Sequence, residues 1–402
     1  MGAIVGLWLL ALGSIGDDDA RVILVTYGPR GEAVGYFGHS VLWVRSHSRG
    51  LNAYFNLAAR GTVSWDPRTY WKDRLTYWAF ARPSADDLSG HLALNRSIRF
   101  QALSLTSDQA DRLDERLREI VAPENNPFTY DFLTFNCTTR IRDLLDEVFD
   151  GKLRPVLEAI PPTETPRRHV LSAVPQAQRT ILDFMLGAPM DRAASRWDEA
   201  FLPALLADAI VDVTIDGRPL VTADLVVMEG PTDAVQEPWT GHAPGSGWAY
   251  GGGSLALGIA GLALVATRRR WAIRLAGTGV ALLWLGLGVA GGALVFNALG
   301  GVRVAAENQN LWIASPAYLL LAIAWSIWLI RIRARWLLDG CIVLASTLLA
   351  LAVASMLLDT DHQNGFWLFA LIPPIVAAVV VAFAIRKASQ GPTVSPPLVG
   401  VA

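Results

Sequence analysis

Cysteine is almost missing from this chain: Cys137 and Cys341 are the only two in 402 residues. Cys341 lies inside a long apolar run, out of reach of Cys137, so a disulfide framework is excluded. Histidine is also scarce, with six residues, and nowhere do His, Cys, Asp and Glu gather at metal-ligand spacing. No glycine-rich loop of phosphate-cradling type occurs and no internal repeat is visible, so neither a metal nor a cofactor is expected. A formal charge of −2 with no basic patch argues against nucleic acid as a partner. Charged residues make up only 17% against 52% hydrophobic, too apolar for one soluble domain of this length.

The apolar excess is concentrated beyond residue 247. Five stretches, 248–267, 275–298, 311–330, 337–358 and 366–385, each approach the ~20 residues that cross a bilayer core. Arg268, Arg269, Arg270, Arg274, Arg331, Arg333, Arg335, Arg386 and Lys387 flank one set of ends, and Arg303 alone marks the other. That asymmetry places the Arg-rich ends in the cytoplasm and everything before residue 248 outside it. Residues 1–16, MGAIVGLWLLALGSIG, have the apolar length of a signal peptide without a preceding Lys or Arg, and read as either a signal peptide or a retained N-terminal anchor. The expected organisation is therefore an exported domain over 17–230, a Gly/Pro-rich linker over 231–247, five transmembrane helices over 248–387 and a cytoplasmic tail over 388–402.

Within the exported part, RVILVTY (21–27), FGHSVLWV (37–44) and LNAYFNLA (51–58) have the β-branched and aromatic content of strands. Residues 106–122 carry apolar residues at helical spacing behind Thr106 or Ser107 as N-cap. The Asp-Gly of VTIDGRPLVTADLVV predicts a tight hairpin, so the domain is α+β. In TYDFLTFNCTTRIRDLL (129–145), Asn136 is a natural N-cap, and Ile141, Leu144, Leu145, Val148 and Phe149 form one apolar stripe. Arg140, Arg142, Asp143, Asp146 and Glu147 fall on the predicted polar side. Cys137 stands at the first turn, where the helix macrodipole and unpaired backbone amides favour a thiolate. Free cysteine also serves as a small core residue, but an unpaired thiol in an exported domain is an oxidation liability, which favours a nucleophile. Cys341 is expected to be inert.

A nucleophilic thiol needs a base. His39 is the one histidine in a strand-like apolar run, sharing a face with Val41 and Trp43. His47 lies in a polar turn, and His91 and His169 in charged surroundings. Asn56 and Tyr54, on the next strand, are the candidates for orienting the base. Ser40 and Asn136, beside His39 and Cys137, are candidates for touching substrate, as are Tyr54 and the arginines Arg140 and Arg142, which would either bind a phosphate headgroup or pair with helix carboxylates. Asp191, Arg192 and Glu199 are similar cases.

A His on an early strand followed by an Asn-Cys at a helix start resembles the circularly permuted NlpC/P60, papain-like arrangement. More specifically, GPRGEAVGYFGHSVLWV, the YFNLAARG segment, YDFLTFNCTTRIRDLL, WDEAFLPALLADAI and DGRPLVT, followed by hydrophobic spans, are similar to the Lnb family of bacterial lipoprotein N-acyltransferases. The resemblance covers most of residues 21–230, and a weaker one touches ENQNLWIASP at 307–316. It implies a permuted papain-like exported domain followed by an α-helical bundle in the bacterial inner membrane. It further implies an acyl thioester on Cys137, His39 as base, a phospholipid acyl donor and a lipoprotein acceptor. The alternative is a cell-wall amidase or peptidase using the same pair, and a non-enzymatic membrane receptor stands third.

Overall fold

The structure is a computed structural model and describes residues 20–30, 35–46, 50–60, 75–230, 238–242, 246–330, 335–358 and 365–389. The apolar stretch 1–16, His47, His362, Arg331, Arg333, most of the expected linker and the tail beyond 389 lie outside the described residues. The chain divides into two compact units, Met1–Asp183 with Pro189–Thr240, and Phe184–Ala188 with Gly241–Ala402.

The first unit is built on an antiparallel sheet. Its strands are β1 (Ala20–Tyr27), β2 (His39–Ser46), β3 (Leu51–Arg60) and β4 (Thr76–Pro83), followed by helix α1 (Ser84–Ala93), β5 (Ile98–Leu103), helix α2 (Ser107–Val121), β6 (Phe128–Thr129) and helix α3 (Cys137–Val148). Shorter helices follow: α4 (Leu153–Glu158), α5 (Pro166–Ala173), α6 (Gln176–Met185), α7 (Arg196–Glu199) and α8 (Pro203–Ile210). The hairpin β7 (Thr214–Ile215) and β8 (Arg218–Pro219) and the strand β9 (Val221–Met228) complete it. The seven-stranded sheet runs β6-β4-β3-β2-β1-β5-β9, so β2 is central. The expected Asp-Gly hairpin forms, with Asp216 and Gly217 both at positive φ as its turn type requires.

Both faces of the sheet are covered, and strand parity decides what each side chain meets. Val22, Leu24, Leu42, Val44, Phe55 and Leu57 face α2 and α3, where they join Leu113, Leu117, Ile141, Leu144 and Leu145 in the main core. Ile23, Val25, Tyr27, Val41, Trp43 and Tyr54 form a second core on the opposite face, closed by Leu88 and Leu92 of α1. The predicted stripe of α3 is buried as expected, but Thr138, Thr139 and Arg142 are buried with it. The polar face of this helix is thus narrower than its sequence indicates.

Among its described residues the second unit contains five stretches long and apolar enough to cross a membrane, carried by α9 (Ser246–Ala266), α10 (Arg270–Leu299), α11 (Ala317–Ile330) extended by the turns from Gln309, α12 (Arg335–Leu358) and α13 (Gly365–Ala388). Small residues set the crossings, since lipid supplies no hydrophobic drive between helices. A Cβ on Gly258 of α9 would lie 2.6 Å from that of Ala377 on α13. Trp284 and Trp325 pack edge to face at 5.1 Å, with the Trp325 indole donating to Gly277 O at 2.8 Å. Asn308 Nδ2 donates to Phe184 O and Leu186 O, and Asn310 Nδ2 to Phe184 O. This binding of the 184–188 segment gives the ENQN stretch a structural role.

Candidate active site

The site is assembled around the first turn of α3. Asp131 Oδ1 accepts from the backbone N–H groups of Leu133 and Thr134 and from the Thr134 hydroxyl, which folds the approach to the helix into a tight turn. Asn136 then caps the helix: its Oδ1 accepts from the N–H groups of Thr138 at 2.7 Å and Thr139 at 2.9 Å, while Thr139 Oγ1 accepts from the Asn136 backbone N–H. Its Nδ2 donates to Phe132 O and Phe201 O. Every polar group of this side chain is engaged within the protein. Asn136 lines the cleft described below but acts by fixing Cys137 in place rather than by offering a free group to substrate.

Cys137 is partly exposed, unlike the residues that flank it. Its sulfur faces the Ser40 backbone N–H and lies 3.7 Å from Thr138 Oγ1. Burial pushes the thiol above its ordinary value, and the Ser40 N–H, the Thr138 hydroxyl and the N–H groups of Cys137 and Thr138 offset that only in part. The helix start therefore acts in the expected direction but is outweighed by burial. That direction favours the thiol, so a nucleophilic role for Cys137 would require a base.

His39 opens β2 directly after Gly38. The φ of +78° at that glycine, and the 2.6 Å that would separate an added Cβ from Tyr27 O, leave no room for a side chain. Parity puts His39 on the α1 side of the sheet, whereas α3 packs on the other. Parity alone therefore does not bring His39 to Cys137 across one face of the sheet. The two residues line one cleft because it opens at the end of β2, where both layers stop. His39 lies among rings, 6.5 Å from Tyr27 and 6.4 Å from His91 between centroids. Tyr27 stacks on His91 at 3.6 Å, and Arg96 anchors this corner by donating Nε and Nη2 to Gly28 O, with Nη1 3.4 Å from His91 Nδ1.

The cleft has a volume of about 360 Å³, within the size range of small-molecule sites. One arm is apolar: Phe132 packs edge to face on Phe37 at 5.1 Å and on Phe201 at 5.7 Å, with Leu202 and Pro203 beside them. The other arm is polar, formed by Asn56, Arg60, Tyr77, Arg82 and Tyr130. Tyr77 and Tyr130 stack at 4.1 Å, and burial raises both phenols, which keeps them protonated donors.

The remaining sequence candidates separate into two groups. Asn56 lines the cleft on the same face as His39, its Oδ1 accepting from Ala58 N–H at 3.2 Å. Ser40 contributes its backbone N–H, while its side chain is fully buried. Tyr54, 1% exposed, stacks on Trp43 inside the second core and is absent from the cleft wall. Arg140 donates to Leu57 O at 2.5 Å and lies over Phe128 and Phe135, where burial pulls the guanidinium down to about 10. Arg142 is buried, donates to Trp197 O, pairs with Asp143 and stacks on Trp197 at 4.1 Å. Neither arginine is on the cleft wall. Asp191 pairs with buried Arg167, and Glu199, completely buried, is held by Thr163, Arg196 and His169, so these groups are structural.

His91, Arg96, Arg60 and Arg82 were not singled out by the sequence. His91 had a readable signal: it follows Leu88 by three positions on the α1 face that Leu88 and Leu92 bury. Arg60 had none, because a β-bulge between Asn56 and Ala59 breaks the alternation and turns Asn56, Ala58, Ala59 and Arg60 all to the cleft.

Residues 14–171 match the family model of the Lnb N-terminal periplasmic domain. The matched stretch contains His39, Asn56, Arg60, Arg82, His91 and Cys137, while the apolar arm at Phe201–Pro203 lies beyond it. No curated protein and no solved structure matches the chain.

Proposed function

We propose that this protein is a membrane-bound thiol acyltransferase that moves a fatty acyl chain from a phospholipid, through a thioester on Cys137, to the N-terminal amine of a lipoprotein. The observation that carries this reading is the shared cleft: a partly exposed thiol at a capped helix start and a histidine on one wall, with an aromatic arm beside them. The similarity of residues 14–171 to an Lnb periplasmic domain and the five membrane-length helices support lipid substrates, since both donor and acceptor reside at a membrane surface. The order of His39 before Cys137 is also that of a circularly permuted NlpC/P60-like domain. Catalysis on the outer side of the inner membrane follows from the same reading.

In the first half-reaction the Cys137 S–H proton passes to His39, and the thiolate attacks the ester carbonyl carbon. The Ser40 N–H, already directed at the sulfur, and the Cys137 N–H are the donors available to the oxyanion. Collapse breaks the carbon–oxygen bond, and His39 returns the proton to the departing lysolipid alkoxide. In the second half-reaction the lipoprotein amine attacks the thioester and gives its proton to His39. The carbon–sulfur bond then breaks, and the sulfur recovers a proton from His39. Asn56, on the same face as His39, is the candidate to orient the imidazole.

Mass spectrometry of lipoprotein N-termini from cells with and without the protein tests this function. N-acylated termini that vanish on deletion, and return with the wild type but not with Cys137→Ala, are expected. Unchanged termini together with altered cell-wall fragments would replace this reading with a wall amidase.

A further inference from the structure

The polar arm of the cleft is one-sided in charge. Arg60 and Arg82 are both exposed on its wall, and no Asp or Glu occurs among the described lining residues. The two arginines come from paired strands, with Arg60 opposite Tyr77 and Arg82 opposite Tyr54. Arg82 is steadied over the Phe80 ring at 4.5 Å, and the positive field of Arg60 reaches the Tyr77 phenol. Arg96 differs from them, with Nε and Nη2 committed to Gly28 O. The cleft therefore joins a cationic, donor-rich arm to an aromatic arm, and Cys137 and His39 line the same cavity.

From this arrangement we infer that Arg60 and Arg82 form a subsite for the phosphodiester of a glycerophospholipid donor, with the acyl chain directed along Phe37, Phe132 and Phe201. The inference rests on the acyl-transfer reading and adds to it the group that tells one class of acyl donor from another. Guanidinium forks match phosphate oxygens, and Tyr77 and Tyr130 add neutral O–H donors. In a glycerophospholipid the phosphate lies only a few bonds from the ester carbonyls, so an anion held at the polar arm presents an ester within the same cleft. A neutral diacylglycerol or diacylglyceryl thioether carries the same esters but nothing for the arginines to hold. An acidic peptide would use the arginines yet leave the aromatic arm empty.

The test uses the full-length protein in neutral detergent micelles and two readouts. The first is the rate of acyl-adduct formation at Cys137 from phosphatidylglycerol and from diacylglycerol with identical chains, followed by intact mass. The second is equilibrium binding of a dialkyl ether phosphatidylglycerol, which has no ester to react. The wild type should prefer the phospholipid by about tenfold or more. In Arg60→Gln/Arg82→Gln the ratio should fall towards one and ether-lipid binding should weaken by a similar factor, while Arg60→Lys/Arg82→Lys keeps most of both. A ratio and an ether-lipid affinity unchanged in the Gln double variant overturn the subsite and leave acyl transfer standing, as does an effect confined to binding of an acidic peptide. Absence of any adduct from either donor removes the acyl-transfer reading, and the ether-lipid affinities then decide the phosphate site by themselves.

Discussion

The two walls of the cleft are made in different ways. The α3 wall is local: Asp131, Asn136, Cys137 and Thr139 fall within nine consecutive positions, with Asp131 folding the turn through Leu133 and Thr134 and with Asn136 and Thr139 bonded to each other on either side of Cys137. The facing wall is assembled from β2, β3, β4 and α1, whose contributions from His39 to Arg96 meet only through strand pairing and helix packing. A local wall can be read from one stretch of sequence, whereas the other depends on register. The arginines make the contrast concrete. Arg140 and Arg142, next to Cys137 in the chain, are structural, and Arg60 and Arg82, far from it in the chain, line the cleft.

The largest effect should come from breaking the link between the walls. Cys137→Ala and His39→Ala should each lower acyl transfer by about a thousandfold or more, and the double variant should be little worse than either, because the pair acts as one unit. Turnover assays on folded, membrane-inserted protein check this, and additive losses would mean that the residues act separately.

A second prediction sharpens the division between structural and cleft arginines. Arg142→Met removes the donor to the buried Trp197 carbonyl and should cost about 1–3 kcal/mol of stability, seen as a lowered melting temperature, with the relative use of different donors preserved. A changed donor preference at full stability would return Arg142 to the substrate.

Smaller in size is the pH dependence of the thiol. Burial holds Cys137 protonated beyond the ordinary range of thiols, so in His39→Ala the thiolate forms only as pH rises past that range. Alkylation by iodoacetamide, followed from neutral to alkaline pH in that variant, should rise with an inflection above that of a free cysteine thiol measured alongside. An inflection below it would mean that the helix start wins over burial after all.

The smallest effect belongs to Cys341, buried in the bundle core among apolar neighbours. Cys341→Ala should leave turnover within about twofold of the wild type, the change expected of a packing site remote from the thiol chemistry. A tenfold loss would give the bundle a part in the reaction.

What was legible in the sequence follows the same local rule. Asn136 as cap, the apolar stripe of α3, the capped helix behind Thr106, the Asp-Gly hairpin and the five apolar spans all rest on patterns within a few turns of chain, and all appear in the structure. The side of the sheet taken by His39 was also readable from alternation, but the place where it shares a cleft with Cys137, at the strand end, was not. The burial of Arg142 depends on Trp197 arriving from more than fifty residues away. The place of Arg60 in the cationic arm depends on a bulge that no periodicity announces.

The central claim is that Cys137 carries the acyl group, and intact-mass measurement of the purified protein tests it most directly. Incubated with phospholipid and no amine acceptor, the wild type should gain one acyl mass that hydroxylamine removes, because the nucleophile that resolves the thioester is missing. Cys137→Ala should gain nothing. A wild type that never acquires a hydroxylamine-labile acyl group with any phospholipid, or a Cys137→Ala variant that does, would contradict the account.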